Sequence, residues 1–284
     1  MVIFSLHPVG LSAQPSGHPG IGNLAPREKA GLLLLQKQYD RAVKEYKKLL
    51  EHGEDDANVV RGLVQSYQGA GRLEEAEDYL KKRLGSSRRR SSLLYGLGYI
   101  YYLTRRINQA ESFFSEAVQG DPANALAWNN WGAALADKKL YSEGIEKVKK
   151  AIGINPSEII FFNNLWRIYD EMGRRDLALA EFENHVRDGQ SVLAKGYGLA
   201  LARKIRQEGF SLYAKGDLEK AVERFLNLAE IYRKIDHVSG LVPALFSLGL
   251  LYDEQGEPDK AEKYFQEVLA INPGHIQARE KVKK

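Results

Sequence analysis

The chain has 284 residues, of which 44% are hydrophobic and 27% charged, and a formal net charge of +4 at pH 7. This is the composition of an ordinary folded domain, and it excludes collagen-like, low-complexity and bulk disordered classes. The charge is too small to imply nucleic acid by itself, no apolar run approaches the ~20 residues of a membrane span, and the absence of cysteine rules out disulfides and thiolate metal sites.

Residues 1–26 differ from the rest. They carry no charged side chain and hold four of the nine prolines. Val2 to Ala13 resembles the apolar part of a secretion signal, with Leu11-Ser12-Ala13 before Gln14 as a cleavage-like site. No Lys or Arg precedes it, and His7, Pro8 and Gly10 interrupt it. The segment reads as a flexible leader or a signal-like segment, so cytoplasmic and exported or periplasmic locations both stay open.

From residue 27 a repeat takes over. Ala42, Ala76, Ala110, Gly144 and Ala178 recur every 34 residues, which marks one structural unit copied head to tail. Each is followed four positions later by a large apolar residue: Tyr46, Leu80, Phe114, Val148 and Phe182. Apolar positions recur at i, i+3 and i+4, the spacing of helices. Tyr95–Leu103 reads as one helix and Ile107–Val118 as its partner, approaching closely where Gly98 faces Ala110. Pro122, Pro156 and Pro273 each stand twelve residues after a small residue and end a helix there.

Two further units centre on Ala221 with Phe225 and Ala261 with Phe265. They stand nine and six residues farther along than the period requires, which predicts longer helices around 231–238 and a break near 188–191. The expected division is therefore five repeats over 27–190, two repeats with longer helices over 191–273, and a polar capping helix over 274–284. Trp166 stands where Gly98 and Gly132 stand, so the fifth pair is expected to splay.

These residues resemble tetratricopeptide repeats (TPR). The third unit carries Leu94, Leu97-Gly98, Tyr101, Ala110, Phe114, Ala117 and Pro122. The fourth carries Trp128, Gly132, Ala151 and Pro156, and the seventh Leu248-Gly249, Tyr252, Gly256, Ala261, Phe265 and Pro273. The resemblance implies an all-α fold, a right-handed superhelical solenoid of antiparallel helix pairs. It also implies a non-catalytic scaffold or adaptor that holds a protein or peptide on the concave face lined by the first helices.

Counting from the repeat phase puts Tyr95, Tyr99 and Tyr102 on that face as exposed residues, then Asn129 and Asn163 with Arg167, and Asn130 and Asn164 beside them. An Asn side chain pairs with a peptide amide in two directions, and tyrosines add rigid contact area with a polar tip. The bland reading gives Asn130 and Asn164 a role only in linking adjacent helices. The carboxylate clamp of some family members is missing here: Tyr95 and Tyr99 replace its Lys and Asn, Ile160 replaces a basic residue, and only Asn130 fits.

A second candidate surface is the basic run Lys81, Lys82, Arg83, Arg88, Arg89 and Arg90, which suits an anion or a solvated helix end. Nucleic acid or an anionic surface is the alternative partner, and self-association through the apolar end helices a third reading. Catalysis, cofactors and metals find no motif. The six histidines are scattered without ligand spacing, and the glycine-rich 17–22 follows no strand and opens no helix.

Overall fold

The structure, a computed structural model, describes residues 24–85 and 90–282. The leader at 1–23, Arg88 and Arg89, and the last two residues lie outside the described residues. Among those described, fifteen helices and no strand are present. The fold is all-α, with antiparallel helix pairs following one another in solenoid order. It divides into two compact units at Gly120/Asp121.

The first unit holds three pairs: α1 (Pro26–Leu35) with α2 (Tyr39–Glu51), α3 (Ala57–Gly69) with α4 (Leu73–Leu84), and α5 (Arg90–Leu103) with α6 (Ile107–Gly120). The second holds four pairs and a cap. These are α7 (Ala125–Asp137) with α8 (Tyr141–Ile154), α9 (Ile159–Glu171) with α10 (Arg175–Arg187), α11 (Ser191–Ala214) with α12 (Leu218–Lys234), and α13 (Val238–Glu254) with α14 (Pro258–Ile271). The cap is α15 (Ile276–Val282), whose Ala278 is fully buried.

One turn ends every first helix. A single residue in the left-handed region sits five positions before each small residue: Lys37, Gly71, Arg105, Lys139, Gly173, Gly216 and Gly256. The next amide then donates back to the last turn of the helix, as Arg72 N to Tyr67 O at 2.9 Å and Arg106 N to Tyr101 O at 2.8 Å. This is the Schellman ending that glycine favours, and three of the seven positions carry a long basic residue instead. Helix starts are capped where the sequence allows it. Asp56 accepts from the amides of Asn58 and Val59, and Asn124 from that of Ala127.

Packing follows the small-large rhythm. Ala42, Ala76, Ala110 and Ala178 are buried, and so are Tyr46, Leu80, Phe114, Val148, Phe182, Phe225 and Phe265. Each such large side chain contributes about 1.5–3 kcal/mol. A methyl group on Gly98 would lie 2.7 Å from the Phe114 ring and 3.3 Å from the Ala110 carbonyl, so the close approach between α5 and α6 depends on that glycine. Trp166 fills the same position in α9, and there α9 and α10 touch far less than α5 and α6 or α7 and α8 do.

The extra residues of the last units lengthen helices. Nine of them fall in α11, which runs for 24 residues, and the other six are shared as three each by α12 and α13, at 17 residues against 14 for α6 and α5. The helices flanking 231–238 are long as expected, but that stretch itself contains the turn Ile235–His237. The break expected near 188–191 is a turn within the second unit, where α10 packs on α11. Within each unit the first helices also touch one another in order, α1 with α3 and α3 with α5, then α7 with α9 and α9 with α11. They form the face on which the candidate residues stand.

Candidate functional site

In the first unit, α5 presents a tyrosine series. Tyr95 and Tyr99 stack in parallel with ring centres 6.1 Å apart. Tyr95 is 1% exposed, which corrects its reading as a surface residue. Its ring also packs on Phe114, because the middle of α5 is buried nearly all round. Tyr99 and Tyr102 are half-buried. Burial pushes the Tyr99 hydroxyl above its ordinary pKa, opposed by a hydrogen bond from Gln65 and the charge of Arg61 on α3.

Tyr101 points the other way and donates to Glu77 of α4 at 2.8 Å. Glu77 also accepts from Lys81 at 2.6 Å and Arg106 at 2.5 Å, and the Arg106 guanidinium lies 4.0 Å from the Tyr101 ring centre. Burial raises the Glu77 carboxyl, but the bonds from Arg106, Lys81 and Tyr101 outweigh it and hold the group at about 2. This hub uses one member of the basic run. Arg83 donates to the Leu50 carbonyl at the end of α2, and Arg90 to that of Leu84 at 3.4 Å. Of the described members only Lys82 projects to solvent without such a bond.

In the second unit, the asparagines form a chain across two helices. Asn164 Nδ2 on α9 donates to Asn129 Oδ1 on α7 at 3.0 Å, and Asn129 Nδ2 donates to Asn130 Oδ1 at 2.9 Å. Asn129 is 1% exposed, so it too is corrected from surface to interior. It bridges two first helices because its position lies on the side of α7 that α9 covers. Asn130 keeps its own NH₂ unbonded, and Asn163, half-buried, makes no side-chain hydrogen bond among the described residues. Arg167 is neutralised by Asp137 at 3.0 Å and Glu171 at 2.7 Å, and reaches the Ala133 carbonyl at 3.4 Å.

The sequence reading missed a second carboxylate hub. Glu181 on α10 accepts from Lys149 on α8, Tyr169 on α9 and Tyr197 on α11. Burial raises its carboxyl, and those three bonds more than cancel the effect, leaving it below the usual range. Burial and the facing carboxylate drive both tyrosine hydroxyls strongly upward. Glu181 lies three residues after Ala178 and Glu77 one after Ala76, so the two carboxylates share no repeat position, although their donors Tyr101 and Tyr169 stand two periods apart.

Among the described residues no cluster of His, Cys, Asp or Glu suited to a metal is present, and no helix is long and apolar enough to cross a membrane. Models of the tetratricopeptide repeat match residues 33–97, 91–124 and 199–273. The chain belongs to the TPR family. The family's buried small-large pairs and Schellman turns recur through all seven helix pairs, including the fourth and fifth, outside those matches. A TPR repeat-containing protein of Methanocaldococcus jannaschii is 27% identical over 178 residues, 62% of this chain and 28% of that protein. The CTR9 homolog of Arabidopsis thaliana is 22% identical over 88% of this chain and 26% of its own length. A peroxisomal targeting signal receptor of Kluyveromyces lactis shares 32% over 62 residues, 22% of this chain and 11% of the receptor. The chain thus spans about a quarter of the length of the first two relatives. A chain of the APC/C hetero-tetramer Cut9-Hcn1 superposes with a TM-score of 0.50 at 17% identity, over 94% of this chain and 56% of its own. Human IFIT1, solved as a dimer with PPP-AAAA, gives 0.51 at 16%, over 87% and 64%. At those identities both likenesses describe the fold.

Proposed function

We propose that this TPR chain is a non-catalytic scaffold that holds a polypeptide segment of a partner along the first-helix face of its repeats. The observation that carries the reading is the sorting of the asparagines. Asn129 and Asn164 are spent on holding α7 to α9, while the NH₂ of Asn130 and the half-buried amide of Asn163, in successive repeats, make no side-chain hydrogen bond among the described residues. Each offers a donor and an acceptor to a peptide backbone. In the first unit Tyr99 and Tyr102 supply contact area of the kind that anchors binding surfaces.

The basic run supports its alternative less well, since Lys81, Arg83 and Arg90 already serve Glu77, Leu50 and Leu84. The test is capture from nuclease-treated lysate of the source cell, comparing wild type with Tyr99→Ala/Tyr102→Ala and with Asn130→Ala/Asn163→Ala. Loss of a protein from either variant, with helicity unchanged, supports the reading for the unit that carries the substitution. An identical catch from all three sinks it.

A further inference from the structure

The longest helix among the described residues carries a second exposed surface. In α11, Lys195, Leu199, Arg203, Arg206 and Phe210 fall within an arc of about 80° at 3.6 residues per turn. The opposite side buries Ala194, Tyr197 and Leu201. Lys195, Arg203 and Arg206 are exposed, and Phe210 is 45% exposed with its ring edge-on to Phe225.

The charge balance sets this stripe apart from its surroundings. Arg167 pairs with Asp137 and Glu171, Arg175 with Asp170 and Glu208, Lys204 with Asp170, and Arg224 with Glu208 and Glu223. Lys195, Arg203 and Arg206 make no ion pair among the described residues. Three uncompensated cations share the stripe with Leu199 and Phe210 over about 22 Å, at 1.5 Å rise per residue. A partner that neutralises the cations and covers the apolar groups gains on both counts.

We infer that this face of α11 docks an acidic polypeptide segment anchored by an apolar side chain against Phe210. The inference rests on the proposed role of the chain as a polypeptide scaffold and gives that partner its chemistry. The length fits one helical segment of about 15 residues, or an extended one of about seven at 3.3 Å per residue. A nucleic-acid strand fits less well. Single-strand sites stack successive bases on successive aromatic rings, and here a single exposed ring stands among aliphatic neighbours.

The experiment pans a phage-displayed library of 16-residue random peptides on the full chain. The recovered peptides are then synthesised with a fluorescein label and titrated by anisotropy. The expected peptides carry Asp or Glu around a Leu, Ile, Phe or Trp. They bind at least about tenfold more weakly to Arg203→Glu/Arg206→Glu, lose affinity as salt rises, and keep it with Arg203→Lys/Arg206→Lys. Both residues are exposed, and circular dichroism checks that the variants stay folded. Recovered peptides that bind the charge-reversed variant as well as wild type overturn the docking face while leaving the scaffold reading intact. Recovery of no peptide overturns both. Tighter binding of a uridine 20-mer, lost on charge reversal, also overturns the inference by making the partner a nucleic acid.

Discussion

The closest backbone approach among the pairs gives a prediction that runs against the repeat pattern. In α7 and α8 both facing positions are glycine. A methyl group on Gly132 would stand 2.6 Å from the Gly144 carbonyl, 2.6 Å from a Val148 methyl and 3.0 Å from the Val148 amide. On Gly144 it would stand 2.8 Å from the Gly132 carbonyl. Two of the three atoms facing Gly132 are backbone, so no side chain can swing aside to make room. Gly→Ala inside a helix ordinarily gains about 0.5–1 kcal/mol, while forcing an extra carbon into a packed contact costs about 1–3 kcal/mol. The clash wins, and Gly132→Ala is expected to lose about 1–2 kcal/mol. Gly144→Ala is expected to lose stability as well, although it restores the alanine found at 42, 76, 110 and 178. Gly153, in the same helix with nothing within 4 Å of its virtual methyl, is the control and should gain the full propensity term. Urea unfolding followed by circular dichroism reads all three. If Gly132→Ala and Gly153→Ala shift the midpoint in the same direction, the contact does not limit the packing and the reasoning is refuted.

Lys139 holds the left-handed turn position between α7 and α8 at φ 64°, which costs an L-residue about 1–2 kcal/mol. Lys139→Gly should recover about 0.5–1 kcal/mol after the entropy of glycine is counted, seen as a higher urea midpoint; a lower one would show that the turn carries no strain. Asn129→Ala should cost about 1–2 kcal/mol by breaking the amide chain in the interior, whereas Asn163→Ala should stay within about 0.5 kcal/mol in the same assay. The Glu77 carboxyl is held at about 2, below its ordinary 4.5, so its contribution is complete above pH 4.5 and disappears as pH falls toward 2. At about 1.4 kcal/mol per unit the ceiling is about 3.5 kcal/mol, and solvent screening reduces it to about 1–2 kcal/mol. Glu77→Gln should therefore flatten the acid limb of stability against pH, and an unchanged limb would show that the hub is not coupled to folding.

The burial of Tyr95 and Asn129 changes how binding is tested. The period places both on the first-helix face, and both are interior, so their loss would damage the fold and imitate a loss of binding. The period repeats positions, not depths. Tyr95 is covered because α5 is apolar on almost every side, and Asn129 because α9 leans onto α7. The same limit applies to the hubs. Lys149, Tyr169, Glu181 and Tyr197 come from four helices, and no spacing within one repeat brings them to a single carboxylate. The stripe on α11 stands in the sequence as Lys195, Leu199, Arg203, Arg206 and Phe210 at helical spacing, but the fold alone decides that Arg167, Arg175, Lys204 and Arg224 meet carboxylates while Lys195, Arg203 and Arg206 do not.

The sequence by itself determined the all-α class, the seven helix pairs with their cap, and the small-large contacts between helices. These are local and periodic: a helix needs only its own apolar stripe, and a pair only one small residue facing another. The division at Gly120/Asp121 and the sorting of polar side chains into buried links and open groups were decided by tertiary structure. Each depends on which neighbour covers a given atom, and in a repeat chain that neighbour stands about thirty residues away.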